Sequence, residues 1–254
     1  MALTPIDNYN EIAIEKAALE TEAWQKVNNL KAFLFHQNDI NCLLQNPKAV
    51  GVRFYMGLEV EENEDGTNAY IPDMMIVGAN NSGDDLVSEK GPSGVYNFAL
   101  PCPRACAIKS PLLHDDISDT TTMNLCNESS KTITFSTEDE CKILENSISL
   151  ATAIERTERW QTYNVLRSIL LGKEDLAAIF TEYNVTSLRV YFAYSENGLH
   201  RIILIGATEA VDENGNSYYE DVEREFLYTN DLAPCTMTHT ETCASGSPLC
   251  HGCS

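Results

Sequence analysis

Two arginine–tyrosine pairs, Arg53 with Tyr55 and Arg189 with Tyr191, are the residues best suited to recognition chemistry. Each pair lies in an alternating stretch, VGVRFYMG or TSLRVYFAY, where side chains two apart share one strand face. A planar guanidinium beside a phenol suits a carboxylate, a backbone edge or a second protein face. The competing reading is internal: arginine paired with an acidic neighbour, tyrosine packed on it. Val52, Phe54 and Met56 in one stretch, and Leu188, Val190 and Phe192 in the other, make the apolar face. The Arg–Tyr face is therefore expected on the side away from the core. No histidine or carboxylate is evident at a fixed offset from both pairs, as a paired acid and base would require.

Cysteine is the second candidate. Cys102 and Cys106 close the segment PCPRAC, and Cys235, Cys243, Cys250 and Cys253 lie in the run CTMTHTETCASGSPLCHGCS. Cys250 and Cys253 have the C-x2-C spacing that brings two thiolates to one tetrahedral zinc, and Cys102 with Cys106 would supply the other two ligands. Disulfides within this run, or from it to Cys102 and Cys106, are the alternative. Cys42 lies in an apolar stretch and reads as a small buried residue. DENGNSYYEDVE begins like a calcium loop with Asp212, Asn214 and Asn216. Ser217 stands where such a loop requires glycine, so a hairpin turn is the simpler reading.

The elements that position these groups come from a repeated phrase. TEAWQ at 21–25 returns as TERWQ at 157–161, and the register of 136 holds without a gap from residues 21–56 onto 157–192. Identities fall at ten of these 36 positions, among them Trp24/Trp160, Gln25/Gln161, Asn28/Asn164, Asp39/Asp175, Arg53/Arg189 and Tyr55/Tyr191. IVGA at 76–79 then matches LIGA at 204–207. The chain reads as a tandem duplication with a domain-sized period: repeat 1 over 1–106, a polar linker over 107–135, repeat 2 over 136–234 and a cysteine-rich tail over 235–254.

Within each repeat, Trp24, Val27, Leu30 and Leu34, and Trp160, Tyr163, Leu166 and Leu170, recur at helical spacing and predict one long amphipathic helix. Ser136 or Thr137 is the expected cap of the second such helix, and Gly172 its stop. Asp39 and Asp175 are expected to cap a short second helix. Three strands follow, with Asn197-Gly198 as a hairpin signal. The fold class is α+β: two tandem copies, each a long helix, a short helix and a three-stranded antiparallel meander.

Composition narrows the function. The net charge is −21, from 38 acidic and 17 basic residues. That opposes the phosphate neutralisation on which nucleic-acid binding depends, and docking on anionic lipid. No apolar run reaches the length of a membrane span. The N-terminus lacks the basic and apolar regions of a signal peptide, so a cytoplasmic location is expected. Nucleotide-binding, zinc-protease and serine-hydrolase motifs are absent from the sequence.

The strings LRVYF (188–192), IILIGA (202–207), DENGN (212–216) and PCP (101–103) resemble those of small bacterial proteins of the Bacteroidota type. The resemblance covers about half of each repeat and implies no activity. Pro234-Cys235-Thr236 departs from the P-C-P pattern. Function is thus expected to be non-enzymatic binding or self-assembly, with a protein partner or a second copy of the chain. A zinc-binding role for the cysteines, or an enzyme site between the repeats near Arg53 and Arg189, are the alternatives.

Overall fold

The computed structural model describes residues 9–63, 65–102, 110–114, 137, 140–211, 217–230, 235–236 and 247–250. Antiparallel strands in two sheets, with helices packed on them, make a mixed α+β fold. Among the described residues no helix is long and apolar enough to cross a membrane.

The first departure from the sequence reading comes early. Helix α1 (Ile14–Gln25) does not continue through Leu30 and Leu34. The chain turns at Lys26–Leu30 and enters strand β2 (Ala32–His36). The side chain of Asn28 donates to the Trp24 carbonyl at 3.0 Å and closes the helix end, an interaction that competes with further helix. Val27, assigned above to the apolar stripe, is 71% exposed, and Tyr163 is 79% exposed. The later segment behaves alike. Helix α3 (Leu150–Tyr163) stops, the Asn164 side chain donates to the Trp160 carbonyl at 3.1 Å, and strand β7 (Leu166–Gly172) follows. Ser149, rather than Ser136 or Thr137, caps α3, its side chain accepting from the Thr152 N–H at 3.0 Å. Gly172 ends a strand instead of stopping a helix.

The short helices are α2 (Gln37–Leu44) and α4 (Lys173–Tyr183). Asp39 and Asp175 are the third residue of each, and His36 and Gly172 hold the cap positions without a side-chain cap bond. In that first turn a carboxylate complements the positive helix end, so the aspartates act one turn inside the place expected.

Strands β3 (Gly51–Glu62) and β4 (Asn68–Ala79) pair along their full length, as do β8 (Ser187–Tyr194) and β9 (His200–Val211) over eight residues. Gly198, at φ +73°, turns the Ser195–Leu199 loop between the latter two, as Asn197-Gly198 suggested. Short strands complete the set: β1 (Tyr9–Ala13), β5 (Val95–Tyr96), β6 (Leu100–Cys102), β10 (Ser217–Asp221), β11 (Phe226–Asn230) and β12 (Cys235–Thr236). Residues 212–216 of the acidic turn lie outside the described residues, and the strands on either side of them pair antiparallel.

The sheets are interleaved. One has the order β1-β11-β9-β8-β2-β6, with β10 also on β9; the other has the order β12-β7-β3-β4-β5. Thus β2 joins the later β8–β9 hairpin, pairing Ala32–His36 with Tyr191–Ser187, while β7 joins the earlier β3–β4 hairpin, pairing Gly172–Ser168 with Gly51–Tyr55. The helices follow: α1 packs on β8 and α3 on β3. Each hairpin takes a helix and strands from the other half of the chain: α1 with β1, β2 and β6 in one sheet, α3 with β7 and β12 in the other. Most buried apolar residues, from Phe35 and Phe54 to Leu176 and Ile203, form one core continuous through both sheets.

Candidate functional site

Arg53 and Tyr55 project from β3, and Arg189 and Tyr191 from β8, on the face opposite Phe54 and Val190. That face is not outward. Relative exposure is 1% for Arg53 and 0% for Tyr55, Arg189 and Tyr191. Both sides of each central strand are covered, so the binding face expected from alternation is interior.

Each pair converges on one carboxylate. The Arg53 Nη1 pairs with Asp85, and Nη2 donates to the Gly83 carbonyl at 2.9 Å. The Tyr55 hydroxyl donates to Asp85 Oδ2 at 2.6 Å, and the Ser247 hydroxyl donates to the same oxygen. In the second cluster Arg189 Nη1 pairs with Asp221 and Nη2 donates to the Tyr219 carbonyl at 3.1 Å. The Tyr191 and Ser110 hydroxyls each donate to Asp221 Oδ2 at 2.6 Å. Asp85 lies opposite Ala79 and Asp221 opposite Ala207, the last residues of the matched IVGA and LIGA strings.

The aspartates correct the sequence reading. Asp85 and Asp221 do stand at one fixed offset, 32 residues after the arginine and 30 after the tyrosine. They escaped notice because the matching breaks between the pairs and the aspartates, where β3 and β4 pair over twelve residues and β8 and β9 over eight. The serines escaped for another reason. CAIKSPLLH at 106–114 returns as CASGSPLCH at 243–251, inside segments read as linker and tail. A histidine therefore also recurs, His114 with His251; the latter lies outside the described residues.

The Ser-Pro-Leu segments are fastened to the repeated TExWQ phrase. Gln25 Nε2 donates to the Leu112 carbonyl at 2.7 Å and Gln161 Nε2 to the Leu249 carbonyl at 2.9 Å. Trp24 and Trp160 each donate the indole N–H, at 2.6 Å, to the carbonyl of the leucine six residues on, Leu30 or Leu166. The His114 Nε2 lies 3.0 Å from the buried Thr21 hydroxyl. Tryptophan, glutamine, asparagine, arginine and tyrosine recur because each satisfies a backbone or carboxylate partner.

No family model matches this chain. No curated protein and no solved structure matches it either.

The chemistry open to the clusters is narrow. Burial, then the neighbouring aspartate, pushes the phenols of Tyr55 and Tyr191 far above their ordinary range, so both stay protonated as donors. Each carboxylate receives guanidinium, phenol and serine hydroxyl together, three donors from within the fold. An open cleft of about 580 Å³ runs past Ser88, Pro92, Ser93, Ser149 and Ile154. Among the described residues Glu89 is the one ionisable side chain lining it.

The cysteines depart from the zinc reading. Cys42 is bonded to Cys141, with Cα atoms 5.7 Å apart, and is not the plain buried thiol expected. Cys102 and Cys250 are disulfide-bonded, so neither is a thiolate that could bind zinc. Cys235 begins β12, opposite Ser168, as Cys102 ends β6 opposite Ala32. Cys106, Cys243 and Cys253 lie outside the described residues. Among the described residues no group of three or more His, Cys, Asp or Glu is placed to hold a metal ion.

Proposed function

We propose that the chain is a tandem duplication whose halves exchange helix–strand units, and that it works as a non-enzymatic binding protein. The observation that carries this reading is the convergence of buried arginine and tyrosine, with a serine, on Asp85 and on Asp221 at matched positions. The polar residues common to both halves hold shape, which leaves recognition to the surface. With a net charge of −21, that surface fits a basic protein partner. Self-assembly through sheet edges is the weaker route, because among the described residues the end strands β5 and β12 have two residues each, β6 has three and β1, the longest, has five. Edges this short offer little template for pairing.

Disulfide bonding at Cys42, Cys141, Cys102 and Cys250 supports an oxidising compartment in place of the cytoplasm.

Light scattering with a salt series tests the binding role. The expected result is a 28.2 kDa particle that associates with basic protein surfaces at low salt and releases them as salt rises. A salt-insensitive multimer would favour self-assembly. An activity abolished by Tyr55→Phe or Tyr191→Phe in a protein that remains folded would restore the enzyme reading.

A further inference from the structure

The halves are alike enough that the chain must choose which helix seats on which sheet. The contacts that recur cannot make the choice. Thr21 and Thr157 are both fully buried, Trp24 and Trp160 make the same indole bond, and Gln25 and Gln161 hold the same kind of carbonyl. Either helix would satisfy either sheet by these groups.

One pair of positions differs in sign. Asp73 lies opposite Gly57 in the β3–β4 ladder, and Arg201 lies opposite Ala193 in the β8–β9 ladder. Gly57 and Ala193 are 136 residues apart, as are Glu20 and Arg156, so both contacts occupy one equivalent place. On one sheet α3 supplies Arg156, which pairs with Asp73 and Glu59. On the other α1 supplies Glu20, whose two carboxylate oxygens lie 3.1 and 3.0 Å from Arg201 Nη1. The helix carries the positive charge in the first case and the negative charge in the second. Asn97 braces the first site, donating to Asp73 at 2.5 Å, and Lys16 stands 4.0 Å from Glu20 in the second.

We infer that this inverted ion pair selects the crosswise seating of α1 and α3 over the seating in which each helix packs on its own half. In the rejected arrangement Glu20 would face Asp73 and Glu59, and Arg156 would face Arg201, so both contacts would set like charges together. Repulsion against the wrong partner is how near-identical interfaces are told apart. The energetics agree. Burial outweighs the attraction of Arg201 and raises the pKa of Glu20 above its ordinary value. A partly buried pair of this kind contributes little net stability, and its best-attested use is to specify register or partner. The inference rests on the duplicated reading of the chain and is independent of the binding role.

The test uses the full chain, refolded from denaturant under oxidising conditions, with the indole N–H signals of its two tryptophans as reporters. The crosswise seat is marked by the Trp24 ring stacked on Phe192, centroids 5.2 Å apart. Glu20→Arg alone sets a second guanidinium against Arg201 and is expected to lower the unfolding midpoint. Adding Arg201→Glu restores opposite charges in the crosswise seating and also matches the charges in the rejected one. The double variant should therefore regain the midpoint yet lose the choice. A second pair of indole signals, at about a tenth or more of the intensity, is the expected result. Two sharp signals with the Trp24–Phe192 contact intact in E20R/R201E would overturn the inference and leave the duplication standing. A wild-type chain lacking that contact would overturn the crosswise fold itself.

Discussion

Phe35 meets Phe54 edge to face, ring centroids 4.9 Å apart, and the two rings belong to different sheets. Only α2 and a short turn separate β2 from β3, so the chain crosses between sheets at this contact. Both rings are buried, at 0% and 2% exposure. Phe35→Ala or Phe54→Ala should each cost about 3–5 kcal/mol, with the double variant costing less than the sum. Urea unfolding followed by tryptophan fluorescence and circular dichroism should give coincident transitions, because one core serves both sheets. Two separated transitions would contradict the shared core.

The buried clusters give a matched pair of predictions. Asp85→Asn and Asp221→Asn each leave a buried guanidinium without its counter-charge, at a cost of about 3–5 kcal/mol. Similar losses are expected at both sites, since arginine, tyrosine and serine partners are the same. Chemical denaturation of the two variants checks this, and a near-neutral effect at either site would contradict its structural role.

The disulfide between Cys42 and Cys141 closes a loop across a sequence separation of 99 and ties α2 to the segment before the 3-10 turn Ile143–Asn146. Cys42→Ser with Cys141→Ser should lower stability by about 2–5 kcal/mol. Thermal melts of the variant and the parent, with and without reductant, measure it; the variant's midpoint should respond less to reductant than the parent's.

Burial lowers the pKa of His36 from its ordinary value to about 4, against a smaller opposing effect from Glu209. The imidazole is thus neutral in the folded chain while the unfolded chain takes up a proton near pH 6.5. Stability is complete above that value and falls as pH drops toward 4, by up to about 1.4 kcal/mol per pH unit for this group. Burial lowers His114 and His200 too, so part of the slope belongs to them. His36→Gln should flatten the dependence between pH 6.5 and 4 without removing it, as pH-dependent urea midpoints would show.

The strand pairs were legible because alternation in VGVRFYMG and TSLRVYFAY and the Gly198 turn act locally. The helix–strand boundary was not. AFLFH and SILLG are short apolar runs buried on both faces, and at that length helical and strand spacing coincide. The asparagines that end α1 and α3 were visible as identities, yet their role needs a side chain folded back on its own helix. Asp85 and Asp221 were hidden by hairpins of unequal strand length, and Ser110 and Ser247 by polar surroundings that read as linker and tail. The interleaving left no local trace, since β2 and β7 fit either hairpin by pattern alone.

Because β2 pairs with β8 and β7 with β3, synthesis imposes an order on assembly. When residue 102 has left the ribosome, β2 has β6 on one side and nothing on the other until β8 is made. In the other sheet the β3–β4 hairpin waits for Leu166–Gly172 to pair beside β3, and β12 then adds to β7. A nascent chain of this kind holds an unfilled strand position for roughly half its length, an interval in which a neighbouring chain on the same message offers the same missing strand.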